Sequence, residues 1–367
     1  MTRIPEDEAR YLGAALQAAR VAREFLEWME SASERLAPER SAALAAHTTH
    51  TFTAPLREAR AALDAAVAPA ALAPFAERLA EGFADIEKAF ELFTSFPGTF
   101  PPESITRILG ALHHVARGQE TFYLLRQALP PFADFWPPRD GTTPEPSAAS
   151  DDASPTGVVH IGKGGSHGGF ALYIPEHYTP ERSWPVIVGL HGGSGNGRDF
   201  LWTWVREAKR FGYLLVAPTA VNDTWTDVDD QGLLQILAWL DRHYRMDRAR
   251  VLLTGLSDGA TFTLLYGLLH PEIYRALAPL CGVLHPANEM LGNLGRAPDV
   301  PIYLAHGALD FLFPVQLARS ARDTLTTAGA VLEYRELPEL SHTYPRSENV
   351  RILQWFEALP GRRDVVI

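Results

Sequence analysis

The chain has a single cysteine, Cys281, in 367 residues. That excludes an internal disulfide and leaves core packing as the ordinary role of a thiol set in the apolar run from Ala276 to Leu284. A surplus of basic charge is also missing. The 33 lysines and arginines are outnumbered by 44 acids, for a formal charge of −11, divided as −6 over the first 150 residues and −5 over the rest. Nucleic acid and anionic membrane surfaces are bound by lysine and arginine displacing counterions, so neither is an expected partner. No run approaches the roughly 18 apolar residues of a membrane span, and Met1 to Arg10 is charged where a signal peptide is apolar. A cytoplasmic protein with no membrane span is expected. Low-complexity composition is absent as well: 28 glycines and 28 prolines accompany 46% hydrophobic and 21% charged residues. Those are ordinary globular values, and the length corresponds to about two domains.

What is present changes character along the chain. From about residue 5 to 128 apolar residues recur at three and four. Tyr11, Leu12, Ala15, Leu16, Ala19, Ala22, Phe25, Leu26 and Met29 form one stripe; Phe75, Leu79, Phe83, Ile86, Phe90 and Phe93 form another. Weaker stripes run through Phe52, Leu56, Leu63 and Val67 and through Ile105, Ile108, Leu112, Val115 and Phe122. Turn signals stand at Ala37-Pro38, Ala68-Pro69 and Phe96-Pro97-Gly98. Four amphipathic helices with short connections predict an antiparallel bundle over 1–137. His47 and His50, and the neighbours His113 and His114, lack the carboxylate or cysteine motif that would complete a metal site, and read as solvated or satisfied side chains.

Residues 138–155 turn to proline, serine, alanine and aspartate, an interdomain linker. Phe132, Phe135 and Trp136, just before it, are expected to pack on a domain. Over 156–367 the period changes. Apolar strands at Pro185–Leu190, Tyr213–Ala217, Val251–Gly255, Ala276–Leu280, Ile302–Ala305 and Val331–Glu336 alternate with helices near 198–210, 233–240, 260–269, 315–328 and 347–358. This pattern predicts a mostly parallel α/β sheet covered by helices on both faces, with its ligand site beyond the carboxyl ends of the strands.

One motif stands at such an end. Gly255-Leu256-Ser257-Asp258-Gly259 follows strand Val251-Leu252-Leu253-Thr254 and opens a helix. A serine nucleophile must be exposed on a tight strand-to-helix turn, where the two glycines remove colliding side chains. Serine is a weak nucleophile and needs a base, which needs an orienting carboxylate. Asp310 follows strand Ile302–Ala305, and His342 follows strand Val331–Glu336, so all three leave the same sheet edge in the order Ser, Asp, His. Asp299 precedes its strand and is the weaker candidate for the acid; helix capping is the alternative role for Asp310. His285 follows the wrong strand, and His306 reads as a loop brace. Asp258 is a carboxylate at a helix N-terminus, and its backbone N–H is one expected oxyanion donor. The backbone N–H of Gly193, in Leu190-His191-Gly192-Gly193-Ser194-Gly195, is the other. That loop lacks the Gly-Lys-Ser/Thr of a phosphate cradle, as does Gly162-Lys163-Gly164-Gly165, which reads as a hairpin turn.

These motifs together resemble the α/β-hydrolase superfamily, and within it the serine esterases related to polyhydroxybutyrate depolymerases and to feruloyl or acetylxylan esterases. The matches are Leu190-His191-Gly192-Gly193, Asp229-Asp230, Asp247-Arg248-Ala249-Arg250-Val251 leading into the serine motif, His306-Gly307 ahead of Asp310 and Pro314, and Ser341-His342-Thr343-Tyr344-Pro345. The resemblance covers about 157 to 358 and implies the α/β-hydrolase fold. It also implies a cofactor-independent carboxylic ester hydrolase, with Ser257 as nucleophile, His342 as base, Asp310 as acid and no metal. Relatives acting on polymers are usually exported, and the lack of a signal-peptide pattern in Met1 to Arg10 makes small or medium soluble esters the expected substrates. Trp225, Phe311 and Phe313 are candidate pocket residues. The N-terminal bundle has no counterpart in the family pattern; covering the site or mediating self-association are its candidate roles. The alternatives are a serine peptidase of the oligopeptidase type, against which Ala260 stands where a second glycine is usual, and a non-catalytic binding protein on a hydrolase fold.

Overall fold

The structure, a computed structural model, describes residues 5–95, 102–136, 155–162 and 168–360. The linker lies outside them except at Pro155, as do Phe96-Pro97-Gly98 and Lys163 to His167. The chain divides into two compact units, Met1–Pro137 and Pro138–Ile367.

The first unit is helical: α1 (Glu6–Glu34), α2 (Ser41–Asp64), α3 (Ala73–Thr94) and α4 (Pro102–Leu125). Glu6, Asp7 and Glu8 occupy the first turn of α1, where the helix dipole favours negative charge. The alanine-rich stripe of α1 is buried from Tyr11 to Met29, and Phe25 meets Phe52 of α2 edge to face at 5.3 Å. Val67 falls outside this pattern: it lies beyond the end of α2 and is 81% exposed. Phe132, Phe135 and Trp136 are buried inside this unit; Phe132 stacks on Phe122 of α4 at 4.6 Å and Trp136 meets Tyr123 at 5.4 Å. Arg23 of α1 donates to the Pro131 carbonyl at 2.6 Å and pairs with Asp134, closing the aromatic turn onto α1. His47 and His50 are exposed, with His47 against Trp28, while His114 bonds Asp85 of α3 at 2.7 Å. Among the described residues no group of three or more His, Cys, Asp or Glu side chains is placed to hold a metal ion.

The second unit is an eight-stranded sheet of β1 (Gly157–Ile161), β2 (Phe170–Ile174), β3 (Trp184–Leu190), β4 (Leu214–Pro218), β5 (Met246–Leu256), β6 (Ala276–Leu280), β7 (Pro301–Gly307) and β8 (Val331–Leu337). Between the strands run α5 (Gly197–Phe200), α6 (Val205–Phe211), α7 (Asp227–His243), α8 (Asp258–Gly267), α9 (Ala287–Met290) and α10 (Val315–Thr327), and α11 (Glu348–Ala358) follows the last strand. The spatial order is β1-β2-β4-β3-β5-β6-β7-β8. Strands β4 to β8 are parallel to their neighbours around β3, whereas β1 and β2 form an antiparallel pair joined to β4. Every residue of β2, β3, β4, β6 and β7 is buried. Since successive side chains point to opposite faces, both faces of the central sheet are covered. This is the α/β-hydrolase fold. The helix expected near 198–210 is broken into α5, a short turn at Leu201–Thr203, and α6. Trp202 and Trp204 are buried at the break. No helix among the described residues is long and apolar enough to cross a membrane.

The chain runs from β3 outward to β4, then returns to the other side of β3 as β5. That reversal opens a crevice at the carboxyl ends of β3 and β5, where Leu190 and Gly255 lie in register.

Candidate active site

Ser257 is the residue between β5 and α8, with φ 56° and ψ −113°, a left-handed conformation unusual for a side-chain-bearing residue. Its N–H donates to the Leu280 carbonyl at 2.9 Å, so the turn is pinned to β6. The flanking glycines are there because the turn leaves no room. A Cβ on Gly255 would stand 2.6 Å from the Gly259 backbone, and one on Gly259 would stand 2.5 Å from the carbonyl oxygens of both Leu190 and His191. The result presents the Ser257 side chain, half-buried, at the crevice.

His342 and Asp310 converge on it. His342 Nε2 lies 2.8 Å from Ser257 Oγ, and His342 Nδ1 lies 2.8 Å from Asp310 Oδ2. Asp310 is buried; its Oδ1 accepts from the N–H groups of Leu312 at 3.0 Å and Phe313 at 2.7 Å. The carboxylate therefore holds its own loop. The N-cap of α10 is Pro314 instead, so Asp310 is not that helix's cap. Asp299 is exposed ahead of β7, far in sequence register from the carboxyl edge. His285 is exposed, and its Nδ1 accepts from Ala287 N–H.

The loop after β3 lies directly beside the serine: a Cβ on Gly192 would meet Ser257 Cβ at 3.6 Å, and one on Gly193 would meet Asp258 Cβ at 4.0 Å. His191 fixes this loop. Its Nε2 accepts from the Ala220 N–H at 3.0 Å, which puts the ring proton on Nδ1, and Nδ1 donates to the Gly192 carbonyl at 2.7 Å. Gly195 N–H donates to the same carbonyl at 3.0 Å. In a trans peptide the N–H points opposite to the C=O, so anchoring the Gly192 carbonyl turns the Gly193 N–H the other way.

Trp225 is buried and acts as a strut between this loop and α8. Its indole N–H donates to the His191 carbonyl at 2.8 Å, and its backbone N–H donates to Asp258 Oδ2 at 2.8 Å. The Asp258 side chain, read from sequence as a helix-terminal carboxylate, spends itself on that bond, and burial pushes its carboxyl above the ordinary value. Phe313 meets His342 edge to face at 5.1 Å, and Phe311 is 41% exposed on the same loop. Asp229 accepts from Thr226 N–H and Val221 N–H, shaping the start of α7, and Asp230 bonds His270 at 3.0 Å.

One further tether lies next to His342 in the chain. Tyr344 donates to Asn349 at 2.7 Å; buried Asn349 donates to the Thr203 carbonyl at 2.7 Å and to Glu207 at 3.3 Å. It fastens the loop carrying His342 to the Leu201–Thr203 turn and α6. Burial pushes the Glu207 carboxyl upward. The only sequence signal for it is Asn349 on the otherwise apolar stripe of α11.

Residues 232–358 match the Phospholipase/Carboxylesterase family model. The matched stretch runs from α7 through α11 and contains Ser257, Asp310 and His342. Feruloyl esterase B from Talaromyces stipitatus is 24% identical over 36% of this chain and 40% of its own. A probable acetylxylan esterase A from Aspergillus flavus is 23% identical over 39% of this chain and 50% of its own. The chain thus aligns with half or less of the length of these relatives. Among solved structures, the acetyl xylan esterase from Aspergillus awamori aligns with 55% of this chain and 98% of its own, at 14% identity and a TM-score of 0.46.

Proposed function

We propose that the protein is a serine carboxylic ester hydrolase acting on small or medium soluble esters. The observation that carries this reading is the unbroken relay from Asp310 through His342 to Ser257, with 2.8 Å at each link. Ser257 Oγ attacks the ester carbonyl as His342 Nε2 takes its proton. Asp310 keeps the imidazole in the tautomer that can accept it and stabilises the imidazolium. The tetrahedral oxyanion is held by the N–H groups of Asp258 and Gly193, the second aimed by the His191 and Trp225 contacts described above. Collapse breaks the C–O bond to the alcohol, which leaves with the proton from His342. Water, deprotonated by the same histidine, then releases the acid and restores Ser257. Phe311 and Phe313, beside the acid, line the substrate's path; Trp225 serves the oxyanion loop from beneath. No step calls for a cofactor.

Hydrolysis of p-nitrophenyl esters of graded acyl length tests the reading. The protein should turn over at least the short members, and Ser257→Ala should abolish that turnover while the fold persists, since alanine fills less of the turn than serine. Undiminished hydrolysis by Ser257→Ala would refute the assignment. The division into a helical domain (1–137), linker (138–155) and catalytic domain (156–367) belongs to the same proposal, as do a cytoplasmic setting and self-association through the bundle. Sedimentation equilibrium of the full chain tests the last: a monomer at micromolar concentration rejects it.

A further inference from the structure

His306 lies inside the site and takes no part in the chemistry above. It is the sixth residue of β7, its side chain is completely buried, and its Nε2 stands 2.7 Å from the Phe313 carbonyl and 3.3 Å from Asp310 Oδ2. A carbonyl only accepts, so the proton sits on Nε2 and Nδ1 is bare. Nδ1 is itself buried with no hydrogen-bond partner. A second proton there would be an N–H without an acceptor and a charge without water, and burial accordingly lowers the basicity of this ring. The ionisable groups facing it are Asp310 and His342 from the two loops and Glu336, its register partner on β8. Cys281, at the end of β6 and beyond Asp310, has a thiol pushed up to about 12 and stays neutral.

Phe313 is what the His306 bond secures, and Phe313 touches the relay in two further ways. Its N–H donates to Asp310 Oδ1, and its ring lies edge-on to His342. Asp310 consequently receives three neutral donors, Leu312 and Phe313 N–H on Oδ1 and His342 Nδ1 on Oδ2, while the His306 Nε2–H, spent on the Phe313 carbonyl, lies 3.3 Å from Oδ2. With no cation among them, the carboxylate's charge remains available for the imidazolium that forms on His342.

We propose that His306 is a positioning residue of the relay: a permanently neutral N–H donor that locks Phe313, and through it fixes the orientation of Asp310 and His342. The inference rests on the reading of Ser257 as nucleophile and of Asp310 and His342 as its partners. It differs from a merely structural role in what it does to the base. Without the His306 N–H dipole 3.3 Å from it, Asp310 Oδ2 attracts the His342 proton more strongly, so the acid limb of the pH–rate profile moves to higher pH.

The test compares His306→Phe, which keeps a ring and loses the donor, with His306→Gln, whose amide restores an N–H near the Nε2 position. His306→Phe should lower kcat roughly 10- to 100-fold, the scale of a buried carbonyl left without its donor, with KM within about twofold and the acid limb raised; His306→Gln should recover most of the rate. In the wild type, ¹⁵N shifts of His306 should stay those of the neutral Nε2–H tautomer while His342 titrates, a measurement that stands even if His306→Phe fails to fold. Wild-type kcat with an unmoved acid limb in a folded His306→Phe, no recovery in His306→Gln, or a His306 that titrates alongside His342 would each overturn the proposal. Fluorophosphonate labelling of the wild type separates the two levels. An unlabelled Ser257 means the parent reading has failed, whereas a labelled Ser257 with unaffected His306 variants means only the positioning role has.

Discussion

Gly259→Ala puts one methyl group where the turn and the oxyanion loop touch. The added carbon would lie 2.5 Å from the carbonyl oxygens of Leu190 and His191, and an ordinary contact begins at 3.4 Å. Relief therefore separates the end of β3 from the start of α8 by about 0.9 Å. The two proposed oxyanion donors sit on opposite sides of that gap, Gly193 on the β3 loop and Asp258 on α8, so the displacement spoils their joint grip on one oxygen. Loss of a single oxyanion donor costs about 2.7–4 kcal/mol of transition-state stabilisation, or 10²–10³ in kcat. Because the oxyanion exists only in the transition state, the loss should fall on kcat and leave KM nearly unchanged. Overpacking should also lower stability by about 1–3 kcal/mol. Gly232→Ala, on α7 with nothing near the added carbon, is the control and should leave kcat unaltered. Steady-state hydrolysis of p-nitrophenyl acetate, with thermal melts of all three proteins, gives the comparison. A folded Gly259→Ala with wild-type kcat would refute the placement of the oxyanion site between these two elements.

Asp310→Asn should lower kcat by about 10⁴, because the amide can favour the wrong tautomer of His342, whereas exposed Asp299→Asn should be silent; the reverse ranking in ester hydrolysis would reassign the acid. Glu207 is held above the ordinary glutamate value by burial, so the unfolded chain ionises first and stability falls as pH rises from about 4.5 towards the raised folded value. Glu207→Gln removes that slope, and parallel melting-temperature-versus-pH curves for the two proteins would contradict it. The Cys281 thiol, pushed up to about 12 and buried, should resist iodoacetamide at pH 8 in the native state and react once guanidinium unfolds the chain; rapid native alkylation would contradict its burial.

The parts of the fold legible in the sequence are those where one strong local signal decides. The strands β3, β4 and β6 and the Val251–Leu253 stretch of β5 are apolar runs, and the serine motif is marked by two glycines whose replacement the backbone forbids. Strands β1 and β2 escaped because the first, Gly157–Ile161, is only partly buried and the second, Phe170–Ile174, is five residues long, with no helix between them to mark a crossover. The break between α5 and α6 follows from tryptophans 202 and 204, whose burial depends on what surrounds them and not on their spacing. For the site, the order Ser257, Asp310, His342 after the carboxyl ends of β5, β7 and β8 is readable from the chain. The supports are not. Trp225 reads as a pocket wall until its indole is seen on the His191 carbonyl, and Asn349 reads as a polar interruption of α11 until it is seen joining Tyr344 to Thr203. Such contacts join residues far apart in sequence, and no local pattern encodes them.

In the proposed reaction Ser257 carries the acyl group. Reaction of the intact protein with a fluorophosphonate, followed by proteolysis and mass spectrometry, tests it most directly. One adduct per chain is expected, on the peptide containing Gly255-Leu256-Ser257-Asp258-Gly259, absent in Ser257→Ala and strongly slowed in His342→Ala. An adduct on any other residue, or full ester hydrolysis by protein that takes up no label, would contradict it.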